Sequence, residues 1–267
     1  MSQPLNDPAE TPTPRFLDLS PTRRIAYHKT AATAERNAAP GVVFLGGFRS
    51  DMTGTKAVHL EAWAAAEGLA FLRLDYTGHG QSSGAFEEGC IGDWSRDAME
   101  AVAALTEGPQ ILVGSSMGGW ISCLVARAMP DRVAGLVGIA AAPDFTEDSM
   151  WAEMPAHQRS LLMAEGRVEL PSDYSDEPYV ITRRLIEDGR EHLVLRQPLV
   201  VNGPVRLLHG TADSDVDPSV GLRLLDHLES PDARLTFVKD ADHRMSEPRE
   251  LALLTSTVAE VLANVGA

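Results

Sequence analysis

Short apolar runs alternate along the chain with segments whose apolar residues recur every three to four positions. Residues 42–45, 69–75, 110–113, 133–140, 205–208 and 235–238 are rich in Val, Ile and Leu and lack strict polar alternation. A strand with one wet face shows a period of two, so unalternating runs of this length suit strands covered on both faces of a parallel sheet. Residues 15–19 and 24–29 read as a short antiparallel pair turned at Ser20-Pro21. Between the later runs, Trp94, Ala98, Ala101, Val102 and Leu105 fall on one helical face, with Gly108 placed to end it. Residues 117–129, 221–228 and 251–262 have the same character. The alternation predicts an α/β fold: a mostly parallel sheet wound by right-handed crossovers, with helices on both faces.

One stretch breaks the rhythm. Residues 144–203 contain no convincing strand but two short helical patterns, near 155–165 and 178–188, and Trp151, Met154 and Tyr179 among mixed acidic residues. A loop of this length without structure is improbable in a compact domain, so the segment is expected to be a small helical cap inserted over the end of the sheet. The core is then residues 15–143 with 204–267, preceded by a disordered tail over residues 1–14.

Composition narrows the function classes. Lys and Arg number 23 against 38 Asp and Glu, a net charge of −15 that disfavours phosphate backbones and anionic lipid surfaces, so no nucleic-acid partner is expected. The longest apolar stretch, 133–143, is far shorter than the roughly 20 residues of a membrane span, so no integral membrane association is expected. The first 14 residues carry four prolines, Asp7 and Glu10, with neither a signal-peptide core nor Arg-rich transit character. A cytoplasmic protein is the expectation. Two cysteines, Cys90 and Cys123, cannot build a disulfide framework or a cysteine-rich zinc site.

Candidate chemistry begins with two matches to Gly-x-Ser-x-Gly. In Gly114-Ser115-Ser116-Met117-Gly118 the serine comes after the strand-like run 110–113 and precedes a helical pattern that ends at Pro130. That is the strand-turn-helix frame an exposed nucleophilic serine requires. The other match, Gly80-Gln81-Ser82-Ser83-Gly84, leads into residues 85–89, which read as loop. Ser82 is therefore read as structural, with the surrounding Asp75–Ser82 string as a turn. Ser116 would stand at a helix N-terminus, where free N–H groups favour negative charge, so the Met117 N–H is expected to face an oxyanion. A second donor is expected from the glycine turn Gly46-Gly47-Phe48 after the first parallel strand, namely the Phe48 N–H.

A serine hydroxyl needs a base to take its proton. Of eight histidines, only His243 lies beyond the last strand-like run, in Asp242-His243-Arg244-Met245. The orienting acid belongs on the loop before it, where Asp213, Asp215 and Asp217 compete. Asp213 lies nearest the strand end and is preferred, Asp215 is the runner-up, and Asp217 before Pro218 reads as a helix N-cap. His209 is expected to hold its own loop by hydrogen bonds. The same acidic string fails as a calcium loop, because Pro218 stands where glycine is needed and Leu224 where a bidentate Glu is needed. No zinc or phosphate-loop pattern appears, and Gly78-His79-Gly80 is not a dinucleotide fingerprint, so no metal and no cofactor are expected.

Together, the Gly-Gly-Phe loop, the Asp-Tyr-x-Gly-His-Gly-x-Ser turn, the Gly-Ser-Ser-Met-Gly-Gly-Trp elbow, the His-Gly-Thr-Ala-Asp loop and the Asp-His-Arg-Met loop resemble the α/β-hydrolase superfamily over nearly the whole chain. Longer strings, residues 107–120, 204–210 and 242–245, are similar to its mitochondrial acyl-protein thioesterase and acyl-glucuronide esterase branch, and the absence of a transit-like segment suggests a bacterial-type relative. The resemblance implies a serine hydrolase of acyl thioesters or carboxylic esters, acting on a small molecule or an acylated protein, with Ser116, Asp213 and His243 as the matching triad. Trp151, Met154 and Tyr179 are expected to line the acyl pocket. An aminopeptidase-like activity on the same fold and a non-catalytic small-ligand receptor are the alternatives.

Overall fold

The computed structural model describes residues 13–170 and 179–265. The tail expected over residues 1–14, apart from its last two residues, and the acidic stretch 172–177 lie outside the described residues. The chain opens with β1 (Arg15–Ser20), β2 (Arg23–Thr30), β3 (Gly41–Leu45), α1 (Thr55–Ala66) and β4 (Phe71–Leu74). It continues with α2 (Ile91–Leu105), β5 (Gln110–Ser115), α3 (Met117–Ala128) and β6 (Val133–Ile139). After a π-helical turn at Thr146–Trp151 come α4 (Ala156–Glu165), β7 (Arg167–Leu170), β8 (Tyr179–Thr182), α5 (Arg183–Glu191) and β9 (Leu199–Val200). The last part holds β10 (Val205–Gly210), α6 (Pro218–His227), β11 (Leu228–Glu229), β12 (Ala233–Val238) and α7 (Pro248–Asn264).

Eight strands form one sheet in the order β1-β2-β4-β3-β5-β6-β10-β12. β2 pairs antiparallel with β1 and β4, and every later neighbour is parallel. The reason the parallel strands show no period of two is visible in what covers them. Val42, Phe44, Ile111 and Val113 pack into one layer with Ala57, Leu60 and Ala64 of α1 and Leu254, Val258 and Val261 of α7. Val43, Leu45 and Leu112 pack into the other, with Trp94, Ala98 and Val102 of α2 and Trp120, Ile121 and Leu124 of α3. Both faces are dry, so both sets of side chains are apolar. Helix α1 leaves no clear stripe in the sequence because its buried face is largely alanine, which gives little apolar contrast.

Strand order runs one way from β3 to β4 and then the other way from β3 to β5. At such a reversal the loops leaving the two neighbouring strands part, and a crevice opens at their carboxyl ends. The segment 144–203 differs from the expectation of helices alone. β7 and β8 form an antiparallel hairpin, and β9 pairs with β11. Strands of four residues (β7, β8) and two residues (β9, β11) are too short for a sequence period, and each is held by its partner. Helix α5 begins at Arg183, where the Thr182 hydroxyl accepts from the Leu185 N–H at 3.1 Å.

Candidate active site

Strand β5 ends at Ser115, and α3 starts at Met117, so Ser116 must turn the chain in one residue. It does so at φ 54° and ψ −118°, a left-handed conformation that costs an L-residue on the order of 1–3 kcal/mol and persists only where its surroundings enforce it. The enforcement is visible. The Ser116 N–H donates to the Ile139 carbonyl at 2.9 Å, and the Ser116 carbonyl accepts from the N–H groups of Gly119 at 2.9 Å and Ala142 at 3.1 Å. The flanking glycines are needed for room: a Cβ on Gly114 would lie 2.3 Å from the Gly118 carbonyl oxygen. The loop after β3 passes close by, since a Cβ on Gly47 would sit 3.3 Å from that of Ser116.

The elbow lifts the Ser116 Oγ to 3.0 Å from His243 Nε2. The opposite ring nitrogen, His243 Nδ1, stands 2.9 Å and 3.1 Å from the two carboxylate oxygens of Asp213. Asp213 Oδ1 also accepts from the N–H groups of Asp215 at 3.0 Å and Val216 at 2.9 Å. His209 Nε2 lies 3.2 Å from Asp213 Oδ2 and 2.9 Å from the Val216 carbonyl. Burial works to raise the Asp213 pKa. The hydrogen bonds from His209, His243 and the Val216 N–H outweigh it and hold the carboxyl well below the usual carboxylate range. The structure therefore brings Ser116, His243 and an ionised Asp213 into one hydrogen-bonded line across three separate loops.

The rival residues sit elsewhere. Asp217 caps α6, accepting from the Ser219 N–H at 2.8 Å, and Asp215 is on the cavity wall. Ser82 is built into its turn: its hydroxyl donates to the Asp75 carbonyl at 2.6 Å and accepts from the Ala26 N–H at 2.8 Å. Met117 is the first residue of α3, where an N–H has no acceptor within the helix. Phe48 is held by its ring, packed edge-on against Phe86 at 4.9 Å and Phe145 at 5.6 Å between centroids.

Residues 38–189, more than half the chain, match the family described as serine aminopeptidase, S33. The mitochondrial palmitoyl-protein thioesterase ABHD10 of mouse is 37% identical over 248 residues, covering 92% of this chain and 82% of that protein. Two solved structures superpose closely. A putative hydrolase from Agrobacterium vitis gives a TM-score of 0.88 at 37% identity, covering 93% of this chain and 97% of the other. Mouse alpha/beta hydrolase domain-containing protein 10 gives 0.86 at 35%, covering 94% and 99%. The chain belongs to the α/β-hydrolase family.

The hydrolase has a cavity of about 1010 Å³ above Ser116 and His243. Tyr179 lines it, together with Phe48, Phe145, Met150, Leu195 and Val220. Trp151 and Met154, expected in the same wall, are not among its lining residues. Met154 is 5% exposed and joins the core layer beside α2 and α3. The Trp151 ring lies between the guanidinium groups of Arg159 and Arg190, at 5.2 Å and 4.6 Å. Apolar character marks a residue for burial without saying against what, and here packing took two of the three that the sequence offered for binding. Phe145 and Met150, from the same stretch, face the cavity instead, and no signal in the sequence separates the pairs. Among the described residues no group of His, Cys, Asp and Glu could hold a metal ion, and no helix is long and apolar enough to cross a membrane.

Proposed function

We propose that this hydrolase cleaves acyl thioesters or carboxylic esters through an acyl-serine intermediate, with Ser116 as nucleophile, His243 as base and Asp213 as orienting acid. The observation that carries the reading is the continuous contact from Ser116 Oγ to His243 Nε2, at 3.0 Å, and from His243 Nδ1 to Asp213, at 2.9 Å. His243 Nε2 takes the hydroxyl proton as Oγ attacks the acyl carbonyl, then returns it to the departing thiol or alcohol. Asp213, kept ionised, fixes the imidazole with its proton on Nδ1 and stabilises the imidazolium. The N–H groups of Met117 and Phe48 receive the oxyanion, each worth about 10²–10³ in rate. Water, activated by the same imidazole, then releases the acid.

Residues 144–203 act as the cap of the site in this reading. Support comes from Phe145, Met150, Tyr179 and Leu195, which supply the apolar wall facing the serine loop. Likeness to the palmitoyl-protein thioesterase favours an S-acylated protein or a small acyl ester as substrate, with a medium to long acyl chain. A reducing compartment, the cytoplasm, fits two cysteines that are both free and buried. The mouse relative is mitochondrial by name, so fractionation of cells expressing the chain decides the compartment.

Ser116→Ala tests the core of the proposal. The variant should stay folded, lose turnover of p-nitrophenyl acyl esters, and escape labelling by a fluorophosphonate probe. Near-normal turnover would reject Ser116 as nucleophile. A chain-length series from acetate to palmitate then reads the pocket depth. The description of the matched family favours a second reading, an aminopeptidase, which aminoacyl-anilides assayed beside the esters would reveal.

A further inference from the structure

The loop that carries the base is conformationally costly. Asp240 and Met245 both have left-handed backbone, at φ 60° and 46°, which an L-residue keeps only when other contacts hold it. Some of those contacts are local. The Met245 N–H donates to Asp242 Oδ1 at 3.1 Å, the Ser246 hydroxyl donates to the Arg244 carbonyl at 3.0 Å, and the Asp240 N–H donates to the Thr211 hydroxyl at 2.9 Å. One comes from a distant segment, α1. The ammonium of Lys56, in the first turn of α1, donates to the carbonyl of Arg244, the residue next to His243, and lies 3.5 Å from the Ser246 hydroxyl. Helix α1 follows the loop that carries Phe48, so this side chain ties that region to the base loop, and Lys56 and Arg244 both line the cavity.

The placement of that ammonium is unusual. Among the described residues it has a carbonyl and a hydroxyl as partners and no carboxylate within ion-pair distance. Desolvating a lysine with no carboxylate in direct contact is unfavourable, and perturbed groups of this kind in a cleft are candidates for functional positions. We infer that Lys56 is a positioning residue for the reaction: by holding the Arg244 carbonyl it fixes the His243 imidazole against the Ser116 hydroxyl. The inference rests on the serine-hydrolase reading of the site. The groups facing the ammonium are Asp242 and Arg244 of the base loop and Glu250 of α7. Burial is the largest influence and brings Lys56 down to about 8, with Asp242 and Glu250 favouring the charge and Arg244 opposing it. As pH rises through that value the ammonium becomes an amine, the charge-assisted bond to the carbonyl weakens, and the imidazole loses its anchor.

The test compares the full chain with Lys56→Met and Lys56→Arg, each checked for native circular dichroism. It measures the rate of fluorophosphonate labelling of Ser116 against pH, beside kcat and KM on one p-nitrophenyl ester. Misplacement on the order of 1 Å costs up to about 10²-fold, so Lys56→Met should label and turn over about 10–100-fold more slowly with KM nearly unchanged. The wild-type labelling rate should fall as pH passes about 8. Lys56→Arg, whose guanidinium stays charged, should hold most of the rate and move that fall to higher pH. Wild-type labelling rates in Lys56→Met, or an alkaline fall unmoved in Lys56→Arg, would overturn the inference. A raised KM with unchanged labelling would also overturn it, making Lys56 a substrate contact instead. A wild-type chain that never labels would reject the serine reading itself, and the inference with it.

Discussion

Replacing Gly118 with alanine sets local helix preference against the fold. Gly118 is the second residue of α3, and by intrinsic propensity the change would stabilise a helix by up to about 1 kcal/mol. In place, the new Cβ would lie 2.0 Å from the Leu45 carbonyl oxygen, 2.6 Å from its carbon and 2.7 Å from the Gly46 oxygen. These are backbone atoms at the end of β3 and cannot swing aside as a side-chain tip would. Ordinary contact begins at 3.4 Å, so α3 must move off β3 by about 1.4 Å. Overpacking of this kind costs about 1–3 kcal/mol, which exceeds the propensity gain. A net loss of about 1–2 kcal/mol should lower the thermal midpoint by roughly 2–8 °C for a chain of this size.

The effect on rate should be larger than the effect on stability. The same shift carries Ser116 and the Met117 N–H away from the Phe48 loop, and a displacement on the order of 1 Å costs about 10²-fold. Thermal unfolding, kcat/KM on a p-nitrophenyl ester and fluorophosphonate labelling together read both consequences. Gly108→Ala is the control, because a Cβ there meets nothing within 4 Å, although the left-handed φ of 64° adds strain. It should lose some stability and keep full activity. A Gly118→Ala protein that melts at or above the wild type and labels at the wild-type rate would refute the reasoning.

Asp213→Asn keeps the shape of the side chain but removes the charge that orders the imidazole in the proposed reaction, and kcat should fall by about 10⁴-fold with the fold retained. A loss below about tenfold would shift the acid role to another residue, with Asp215 the first to examine. Because the Asp213 carboxyl is held below its ordinary value, its contribution to stability is present above the usual carboxylate pKa and is lost as pH falls through the lower folded value, so acid unfolding should be shallower in Asp213→Asn. Burial holds His79 down at about 4 from its ordinary 6.5, the Thr77 carbonyl opposing and Arg49 adding to it. The unfolded chain takes up a proton in that window and the folded chain does not, so stability present above pH 6.5 should fall as pH drops towards 4. Unfolding free energies of wild type and His79→Phe from denaturant titrations should diverge by on the order of 2 kcal/mol between pH 6.5 and about pH 4.5, and parallel curves would refute it.

The architecture and a short list of reactive groups were already legible in the order of the amino acids. Unalternating apolar runs separated by helical stripes can be read because parallel strands are covered on both faces, so the pattern comes from the fold class whatever the neighbours are. Ser116 could be told from Ser82 because the elbow frame is local: a strand must end and a helix must begin within one residue. Asp213, Asp217 and His243 could be nominated because each lies where a strand has just ended or a helix is about to begin. Other features depended on distances that no spacing encodes. That His209 stands 3.2 Å from the Asp213 carboxylate, that Lys56 grips the carbonyl beside His243, and that Gly118 lies against the Leu45 carbonyl are meetings between segments far apart in the chain. The wall of the cavity was decided the same way: Phe145, Met150, Trp151, Met154 and Tyr179 all favour burial by their character, but only packing chose which joined the core and which lined the cavity. Local preference and periodicity are properties of neighbouring residues, whereas a site is a property of the contacts between loops, and those exist only once the sheet has brought the loops to one rim.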